Sequence, residues 1–451
     1  MNQSTSFRDP GGRVSVTKDR VVRTVLPAGT SNLNACLNSA VAHAFVEKGA
    51  LIATRVLDSP GTSGADEVVV EHPRIPFASY AHEWPPAMLH AAAQLTLELC
   101  SALLEEGRGL KDATPGNILF RGSQPVFIDI LSIEGRNPLD PIWLADAQFA
   151  RTFLIPLLLH RRTRYPLHEL FLFQRDGIGP EDAVHRLPAP RRWFPPDLGL
   201  VTLPASASRL ENESIYKPRQ ARDEGEARYV LAHHFRGLRK KLDGLAPQSS
   251  TPKTTATIPD ATRQFVESAL REINPSRVLD IGSNTGEFSL MAAGAGASVV
   301  SIDRNPENAG ALWNAARAAQ PDILPLVVDF ARPTPAAGWR CMEHASFLDR
   351  AEDFFDVALL LDGIHHFMVA DAIPLDQIFD VLATLTTRWL VIEFIGPADP
   401  QFRRLARGRD ALYQWYGRSA FEDCARRSFD VVKTLDTESS DRALYLLRRK
   451  H

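Results

Sequence analysis

Cysteine, methionine and charge of one sign are all scarce in this sequence. Its 451 residues include 4 cysteines and 5 methionines, and 51 basic residues nearly balance 54 acidic ones, for a net charge of −3. Cys36, Cys100, Cys341 and Cys424 show neither a metal-ligand spacing nor a disulfide-like rhythm, so neither a zinc cluster nor a disulfide framework is expected. A nearly balanced charge gives no field that holds a polyanion, and nucleic acid is therefore not an expected partner.

Long apolar runs are also missing. Nowhere do 18 or more apolar residues follow one another, and the first residues, MNQSTSFRDPGGRVSV, contain no apolar stretch typical of a signal peptide. We therefore expect no membrane partner, no export and a cytoplasmic location. Two basic clusters, 403–409 and 448–450, are typical of solvated helix faces or strand ends rather than of a phosphate track. The sequence leaves the oligomeric state open.

The chain is long enough for two or three domains, because a domain usually spans about 100–200 residues. Hydrophobic residues make up 44% and charged residues 23%, as in chains that bury substantial cores. A polar, proline-rich stretch at 246–255 lacks large apolar residues and predicts a linker. We place an N-terminal domain at 1–245, the linker at 246–258 and a C-terminal domain at 259–451.

The C-terminal domain alternates short apolar strands with helices. An amphipathic helix is predicted at 261–273, and strands are predicted at 277–281, 298–302, 323–328, 355–361 and 389–394. Buried strands that alternate with helices form doubly wound, mostly parallel sheets, so the predicted fold class is α/β. In the N-terminal domain a long helix is predicted at 83–107, and irregular structure at 180–218, where prolines concentrate.

A strand that ends in Asp280 runs into a turn containing Gly282, Ser283, Asn284 and Gly286, and a helix follows. Such a turn places backbone amides and a helix N-terminus around a small ligand. The turn alone does not identify that ligand, because dinucleotide enzymes hold a pyrophosphate with a similar loop.

Three acids distinguish these alternatives. Asp280 suits a cationic amino group and is unhelpful beside a diphosphate. Asp303 ends the next strand, where it can accept two ribose hydroxyls in either class of cofactor. Asp329 ends the third strand, where it can accept the adenine amine, and Phe330 beside it can pack on the ring. The set favours S-adenosylmethionine over a dinucleotide.

VLDIGSNTGEF, Asp303, the Asp329–Phe330 pair and a C-terminal FDVVKTLDTESSDRALYLLRRK together resemble the class I methyltransferases. The resemblance spans nearly all of 259–451. It implies a Rossmann-like sheet closed by an antiparallel hairpin, with S-adenosylmethionine as the cofactor. Asn284 stands where many members have glycine, and a small polar residue there still lets the turn close.

The fourth strand leads into Asp362, His365 and His366 at the same edge of the sheet. We count Asp362 with the cofactor-binding residues. A histidine that titrates near neutrality can take a proton from a hydroxyl, so His365 and His366 are candidate bases, with His366 preferred. In the alternative, one ring packs beneath the cofactor and the other hydrogen-bonds a loop carbonyl.

The acceptor atom and the metal requirement are predicted from motifs that are missing. The fourth strand lacks the Asn/Asp-Pro-Pro-aromatic signature with which N-methylating enzymes hold a planar nitrogen. Oxygen is therefore the expected acceptor atom, with carbon as a further possibility. No run of acidic ligands resembles the metal site of catechol-type enzymes, and no metal is expected.

In the N-terminal domain, Asp112 and Asn117 are spaced as D-x-x-x-x-N, and Asp129 ends a strand-like segment. This pattern resembles the kinase-like phosphotransferases, in which it supplies the base and two magnesium ligands. Lys111 replaces the usual His or Arg, and no Gly-rich loop or Val-Ala-x-Lys strand precedes it, so the resemblance implies a degenerate α+β kinase-like domain. Asp112, Asn117 and Asp129 are thus a candidate second site, or residues that only stabilise a loop.

LKDATPGNILF, PVFIDILS, IEFIGPADPQF and RGRDALY together resemble a group of bacterial two-part methyltransferases described as nodulation-protein-like. Gly116 replaces the tyrosine expected of that group. We expect a methyltransferase that modifies a small biosynthetic molecule, with the front domain helping to bind it. Two alternatives stay open, a bifunctional protein whose first half binds ATP or phosphorylates the acceptor, and a non-catalytic sensor of the cofactor.

Overall fold

The computed structural model describes residues 4–6, 8–17, 20–57, 67–207, 220–247, 258–319, 321–437 and 441–450. The chain forms two compact units, the first made of 1–248 with Gly338–His344 and the second of 249–337 with 345–451. Most of the linker predicted at 246–258 lies outside the described residues.

The first unit combines an antiparallel sheet with helices. Its helices are α1 (Thr30–Leu37), α2 (Ala40–Glu47), α3 (Pro86–Leu104), α4 (Asp146–Phe149), α5 (Ile155–Thr163), α6 (Leu167–Phe173), α7 (Pro180–Arg186), α8 (Leu203–Ala207) and α9 (Glu224–Asp243). Its strands are β1 (Ser4–Ser6), β2 (Gly12–Val16), β3 (Val21–Val25), β4 (Arg55–Leu57), β5 (Val68–His72), β6 (Arg108–Leu110), β7 (Ile118–Arg121), β8 (Gln124–Phe127) and β9 (Ile133–Gly135).

The sheet of this unit has the order β1-β2-β3-β5-β4, and β6–β9 and β7–β8 form separate antiparallel pairs. The core helix is α3, the one helix in the described ranges that is long and apolar enough to cross a membrane. Its apolar window is 72% buried inside the protein, which is how the core helix of a folded unit behaves. The prediction of irregular structure at 180–218 is wrong where the structure describes it, because 180–207 forms α7, α8 and short helical turns.

A short piece of the second half of the sequence, Gly338–His344, packs with the first unit. Arg8 and Arg175 both donate hydrogen bonds to Glu343 in this segment. Burial alone would raise the pKa of Glu343, but the two guanidinium groups hold it at about 2. The stack of His344 on Tyr80, with ring centroids 4.1 Å apart, adds an apolar contact. The packing of Gly338–His344 with the first unit was not predicted from the sequence.

The second unit is built on one seven-stranded sheet. Its strands are β10 (Arg277–Ile281), β11 (Ser298–Asp303), β12 (Ile323–Val327), β13 (Phe355–Leu360), β14 (Thr386–Ile395), β15 (Phe429–Asp436) and β16 (Arg442–Arg449). Its helices are α10 (Asp260–Ile273), α11 (Glu287–Gly294), α12 (Pro306–Ala319), α13 (Phe347–Ala351), α14 (Leu375–Leu385), α15 (Pro400–Ala406) and α16 (Arg418–Ala425).

The strand order is β12-β11-β10-β13-β14-β16-β15. The first five strands pair in parallel, and β16 and β15 pair antiparallel at the far edge. The predicted parallel sheet and its closing antiparallel hairpin are therefore confirmed. Buried apolar side chains from α10, β10 and β13 form the core on one face, with Val266, Val278 and Val357 all fully buried. The uninterrupted apolar strands reflect burial on both faces of the sheet.

Gly286 tests how tightly the turn after β10 is constrained. Its φ is 79°, and a Cβ added there would lie 2.4 Å from Leu312 Cδ1. We expect Gly286→Ala to lower the free energy of unfolding by about 2 kcal/mol or more, because it adds both backbone strain and overpacking. Urea denaturation measures the loss. The control Gly294→Ala, in a helix with open space around the added methyl, should be neutral or mildly stabilising; equal effects of the two changes would contradict this view of the turn.

Candidate cofactor and acceptor site

The turn after β10 is anchored to the neighbouring strand. The backbone amides of Gly282 and Ser283 both donate to Ile302 O, at 2.8 and 3.2 Å. Gly282, Asn284 and Gly286 all have positive φ, at 72°, 53° and 79°. Asparagine tolerates this left-handed conformation better than most residues. The glycine that many methyltransferases carry at position 284 is thus replaced without loss of the turn.

Asp303 ends β11 with its carboxylate held on both oxygens. Oδ2 accepts hydrogen bonds from the Asn284 amide at 2.9 Å and from Asn308 Nδ2 at 3.1 Å, and Oδ1 accepts from the Asn305 amide at 2.7 Å. The predicted role of Asp303 as the ribose acceptor stays a prediction. Asn308 was not predicted as a site residue, although its position in the first turn of α12, shortly after Asp303, could have indicated this role.

Asp280 is a buried acid on β10, the strand that pairs with β11 and therefore lies next to Asp303. Its side chain is 4% exposed, and Ser289 Oγ donates to Asp280 Oδ2 at 2.5 Å. Burial raises the pKa of Asp280 to about 6, against the hydrogen bond from Ser289, which lowers it. A carboxylate buried at this cost is stabilised by a cationic partner, which is what the amino group of a methionine moiety would supply. That role for Asp280 also stays a prediction.

Asp329 and Phe330 follow β12 and interact with the segment after β13. Asp329 Oδ2 pairs with Arg332 at 2.7 Å, and the same arginine pairs with Asp371 at 2.7 Å. The ring of Phe330 lies 5.0 Å from that of Phe367 between centroids. The two segments that border the predicted adenine position are therefore tied together. Arg332, Asp371 and Phe367 were not predicted as site residues.

The two histidines after β13 differ in their surroundings. His365 is fully buried, and its Nε2 lies 3.1 Å from Gln401 Oε1. His366 is half-buried, with its ring 4.3 Å from that of His365. Burial lowers the pKa of His365 to about 4 and also lowers the pKa of His366. Both rings are therefore neutral at pH 7 and able to accept a proton, and of the two His366 is the one open to solvent.

Arg442, at the start of β16, pairs with three acidic side chains at this edge of the sheet. Its guanidinium pairs with Asp362 Oδ1 at 2.9 Å, Glu393 Oε1 at 3.4 Å and Asp399 Oδ2 at 2.7 Å. Glu393 Oε2 also accepts the Asp362 backbone amide at 2.9 Å. Asp362 has a φ of 49°, an unusual conformation for a residue other than glycine. The ion pairs thus fix the turn that leads into the histidines.

Arg442 had not been predicted to contribute to the site. The signal available in the sequence was a charged side chain at the start of the apolar strand ALYLL. Charged groups rarely lie this deep unless they are paired.

The predicted second site lies in the first unit. Asn117 Nδ2 donates to Asp112 O and to Ser132 Oγ, both at 3.3 Å. Arg23 of β3 pairs with Asp129 Oδ1 at 2.8 Å, and Ser132 Oγ donates to Asp129 Oδ2 at 2.5 Å. Both oxygens of the predicted magnesium ligand therefore already have protein partners. In the part of the chain that the structure describes, no group of three or more His, Cys, Asp or Glu side chains could hold a metal ion. The kinase-like assignment stays a prediction.

The predicted cofactor residues of the second unit come together as expected from the sheet. Parallel strands point their carboxyl ends to one edge of the sheet. The acids at or just beyond these ends are Asp280, Asp303, Asp329 and Asp362. A glycine-containing turn, a fixed acid on the next strand and an acid–aromatic pair on the third form the arrangement expected of a nucleoside-binding α/β unit, and two histidines follow the fourth strand at the same edge.

Comparison with known proteins identifies the class. Residues 232–431 match the family model described as a methyltransferase domain. The protein is an S-adenosylmethionine-dependent methyltransferase, and the matched residues include most of the second unit.

Over almost its whole length the chain is similar to nodulation protein NoeA of Rhizobium meliloti strain 1021. The two are 29% identical over 464 residues, which cover 98% of this chain and 95% of NoeA. The solved structure of PH0226 from Pyrococcus horikoshii OT3 is 14% identical, covers 45% of this chain and 96% of its own, and has a TM-score of 0.31. The N-methyltransferase NodS from Bradyrhizobium japonicum WM9 is 16% identical, covers 42% and 97%, and has a TM-score of 0.30.

The buried charge of Asp280 should lower the free energy of unfolding of the ligand-free protein while it favours cofactor binding. An acid whose pKa is raised on folding makes the protein lose stability as pH rises from about 4 to 6, and the loss persists at higher pH. We expect Asp280→Asn to raise the free energy of unfolding of the ligand-free protein at pH 8 by up to about 3 kcal/mol, while weakening cofactor binding. Urea denaturation measures the gain.

The gain should shrink by roughly 1 kcal/mol at pH 5, where Asp280 is largely protonated in the folded state. Asp410→Asn, at an exposed position, is the control and should show no such gain. A variant less stable than the parent at pH 8, or a gain independent of pH, would contradict the burial argument.

Proposed function

We propose that the protein transfers the methyl group of S-adenosylmethionine to an oxygen atom of a small molecule, in a biosynthetic pathway of the cytoplasm. The observation that carries the proposal is His366. It is a half-buried, neutral ring that follows β13 at the edge where the cofactor residues converge. Methyl transfer to a hydroxyl needs a base that removes the proton as the oxygen attacks, and a positioned histidine is suited to that task.

In the proposed reaction the acceptor oxygen attacks the methyl carbon of the sulfonium in line with the breaking carbon–sulfur bond. The methyl group moves to oxygen, the electron pair of the breaking bond stays on sulfur, and His366 takes the hydroxyl proton. The remaining residues act mainly by position, because aligning the two reactants supplies much of the rate of such a displacement. The Asp362–Arg442 pair holds the turn that leads into His366.

The first unit is proposed to help bind the acceptor. Relatedness to NoeA over nearly the whole chain supports a function that involves both units, since 95% of NoeA is matched rather than a methyltransferase domain alone. The name of that relative, a nodulation protein, is compatible with the modification of a biosynthetic product. A phosphotransfer role has less support, because both carboxylate oxygens of Asp129 already have protein partners, Arg23 and Ser132.

Replacement of the proposed base tests this function. We expect His366→Gln to lower kcat by about 10²–10⁴-fold, because the acceptor hydroxyl loses its general base, with affinity for S-adenosylhomocysteine unchanged within about twofold. The kcat/KM of the parent should fall only at pH values below the ordinary histidine pKa of about 6.5, since burial lowers the pKa of His366. Transfer of a labelled methyl group into a cell extract measures the rate, and calorimetry measures the affinity.

The carbon-13 chemical shift of the transferred methyl group identifies the atom that receives it. A methyl group on nitrogen would contradict O-methylation. An unchanged kcat in His366→Gln would remove the base from the mechanism without affecting the cofactor assignment.

A further inference from the structure

Helix α15 and the turn after it cover the segment that carries the histidines. Gln401 Oε1 lies 3.1 Å from His365 Nε2. Further along, Arg409 donates to Val369 O at 3.2 Å and Tyr413 OH donates to Met368 O at 3.4 Å. The face of α15 that bears Gln401 therefore looks toward His365 and its neighbour His366.

Arg404 lies on this same face. It comes three residues after Gln401, and residues three apart are neighbours on a helix surface. Arg403 is displaced by about 200° from Gln401 at 100° per residue and lies on the opposite side of the helix. Arg407 follows the end of α15. Of the exposed arginines 403, 404 and 407, Arg404 is the one whose position on α15 shares the face of Gln401.

Electrostatics agrees with this placement. After burial, which is the largest cause, the charges of Arg304 and Arg404 both lower the pKa of His366, while Asp362 acts in the opposite direction. Arg304 directly follows Asp303 at the carboxyl end of β11. Two guanidinium groups on different elements thus act on the proposed base.

The acids that also act on His366 are already paired. Asp362 pairs with Arg442 at 2.9 Å, and Asp371 pairs with Arg332 at 2.7 Å. Within the described ranges, no carboxylate pairs with Arg304 or Arg404. The surroundings of His366 therefore contain two positive charges without a protein counterion.

We propose that Arg404, with Arg304, binds an anionic oxygen group of the methyl acceptor, so that the substrates are carboxylates, phosphates or sulfates that also carry a hydroxyl. Guanidinium groups match such anions in charge and in bidentate geometry. The inference rests on the proposed methyl transfer and specifies its substrate class. Arg404 lies one helical turn from Gln401, which contacts His365, so an anion bound at Arg404 would present its hydroxyl on the side of the histidines.

The first experiment uses the full-length protein and methyl-labelled S-adenosylmethionine with a cell extract. We expect the labelled product to be retained on an anion exchanger at pH 7. A labelled product that passes through uncharged overturns this inference alone. If no labelled product forms, the proposed function fails, and this inference fails with it.

The second experiment compares two arginines of one helix, using as acceptor the fraction of the untreated extract that the anion exchanger retains. Arg404→Gln should raise the KM for that fraction about 10–100-fold, the effect of losing a hydrogen bond to a charged group, with S-adenosylhomocysteine affinity unchanged within about twofold. Arg404→Lys should restore part of the loss, because a lysine keeps the charge without the bidentate geometry. Arg403→Gln, on the opposite side of α15, is the control and should leave KM unchanged.

Two results would overturn the assignment of Arg404. Equal effects of Arg404→Gln and Arg403→Gln would show only a general influence of surface charge. A loss of S-adenosylhomocysteine affinity with an unchanged acceptor KM would show that the guanidinium serves the cofactor, whose methionine moiety has a carboxylate of its own.

Discussion

The parallel register of β10 with its two neighbours is the constraint on which the site depends. Ile281 at the end of β10 pairs with Ile302 of β11 and with Leu360 of β13. The three strands therefore end at one level, and the residues that follow them meet at one edge of the sheet. A shift of one residue in this register would turn Asp280 to the opposite face and separate the turn from Asp303.

Acidic and basic side chains at this edge of the sheet lie in different places. Of the acids assigned to the cofactor, Asp280 is buried and Asp303 is held by backbone amides. The other two are ion-paired, Asp329 with Arg332 and Asp362 with Arg442. The arginines left without counterions lie on the side of His366. In the proposed arrangement the edge offers negative groups to the amino and hydroxyl groups of the cofactor, and positive groups to the acceptor. This separation makes one sheet edge suitable for two substrates of different charge.

The sequence predicted those parts of the site that depend on local pattern. β10 was predicted at its observed bounds, because a buried strand between a helix and a glycine turn leaves a clear signature. Arg442 and Gln401 were missed, since their roles arise from contacts between residues far apart in sequence, which periodicity does not reveal. Asn308 is close to Asp303 in sequence and was missed because hydrophobic periodicity does not reveal polar contacts. Arg404 was placed in a basic cluster and interpreted as solvated, because its neighbour on the helix face, Gln401, was not known to contact His365. The packing of Gly338–His344 with the first unit was also missed, because it depends on contacts between residues far apart in sequence.

The central claim, that this sheet edge binds S-adenosylmethionine, is tested most directly by calorimetric titration of S-adenosylhomocysteine into the pure protein. We predict one site per chain, with affinity lost at least tenfold in Asp303→Ala, because the carboxylate that receives the ribose hydroxyls is removed. Asp322→Ala, an exposed acid that precedes β12 at the opposite edge, should bind like the parent. No binding by the parent protein, or equal losses in the two variants, would contradict the account.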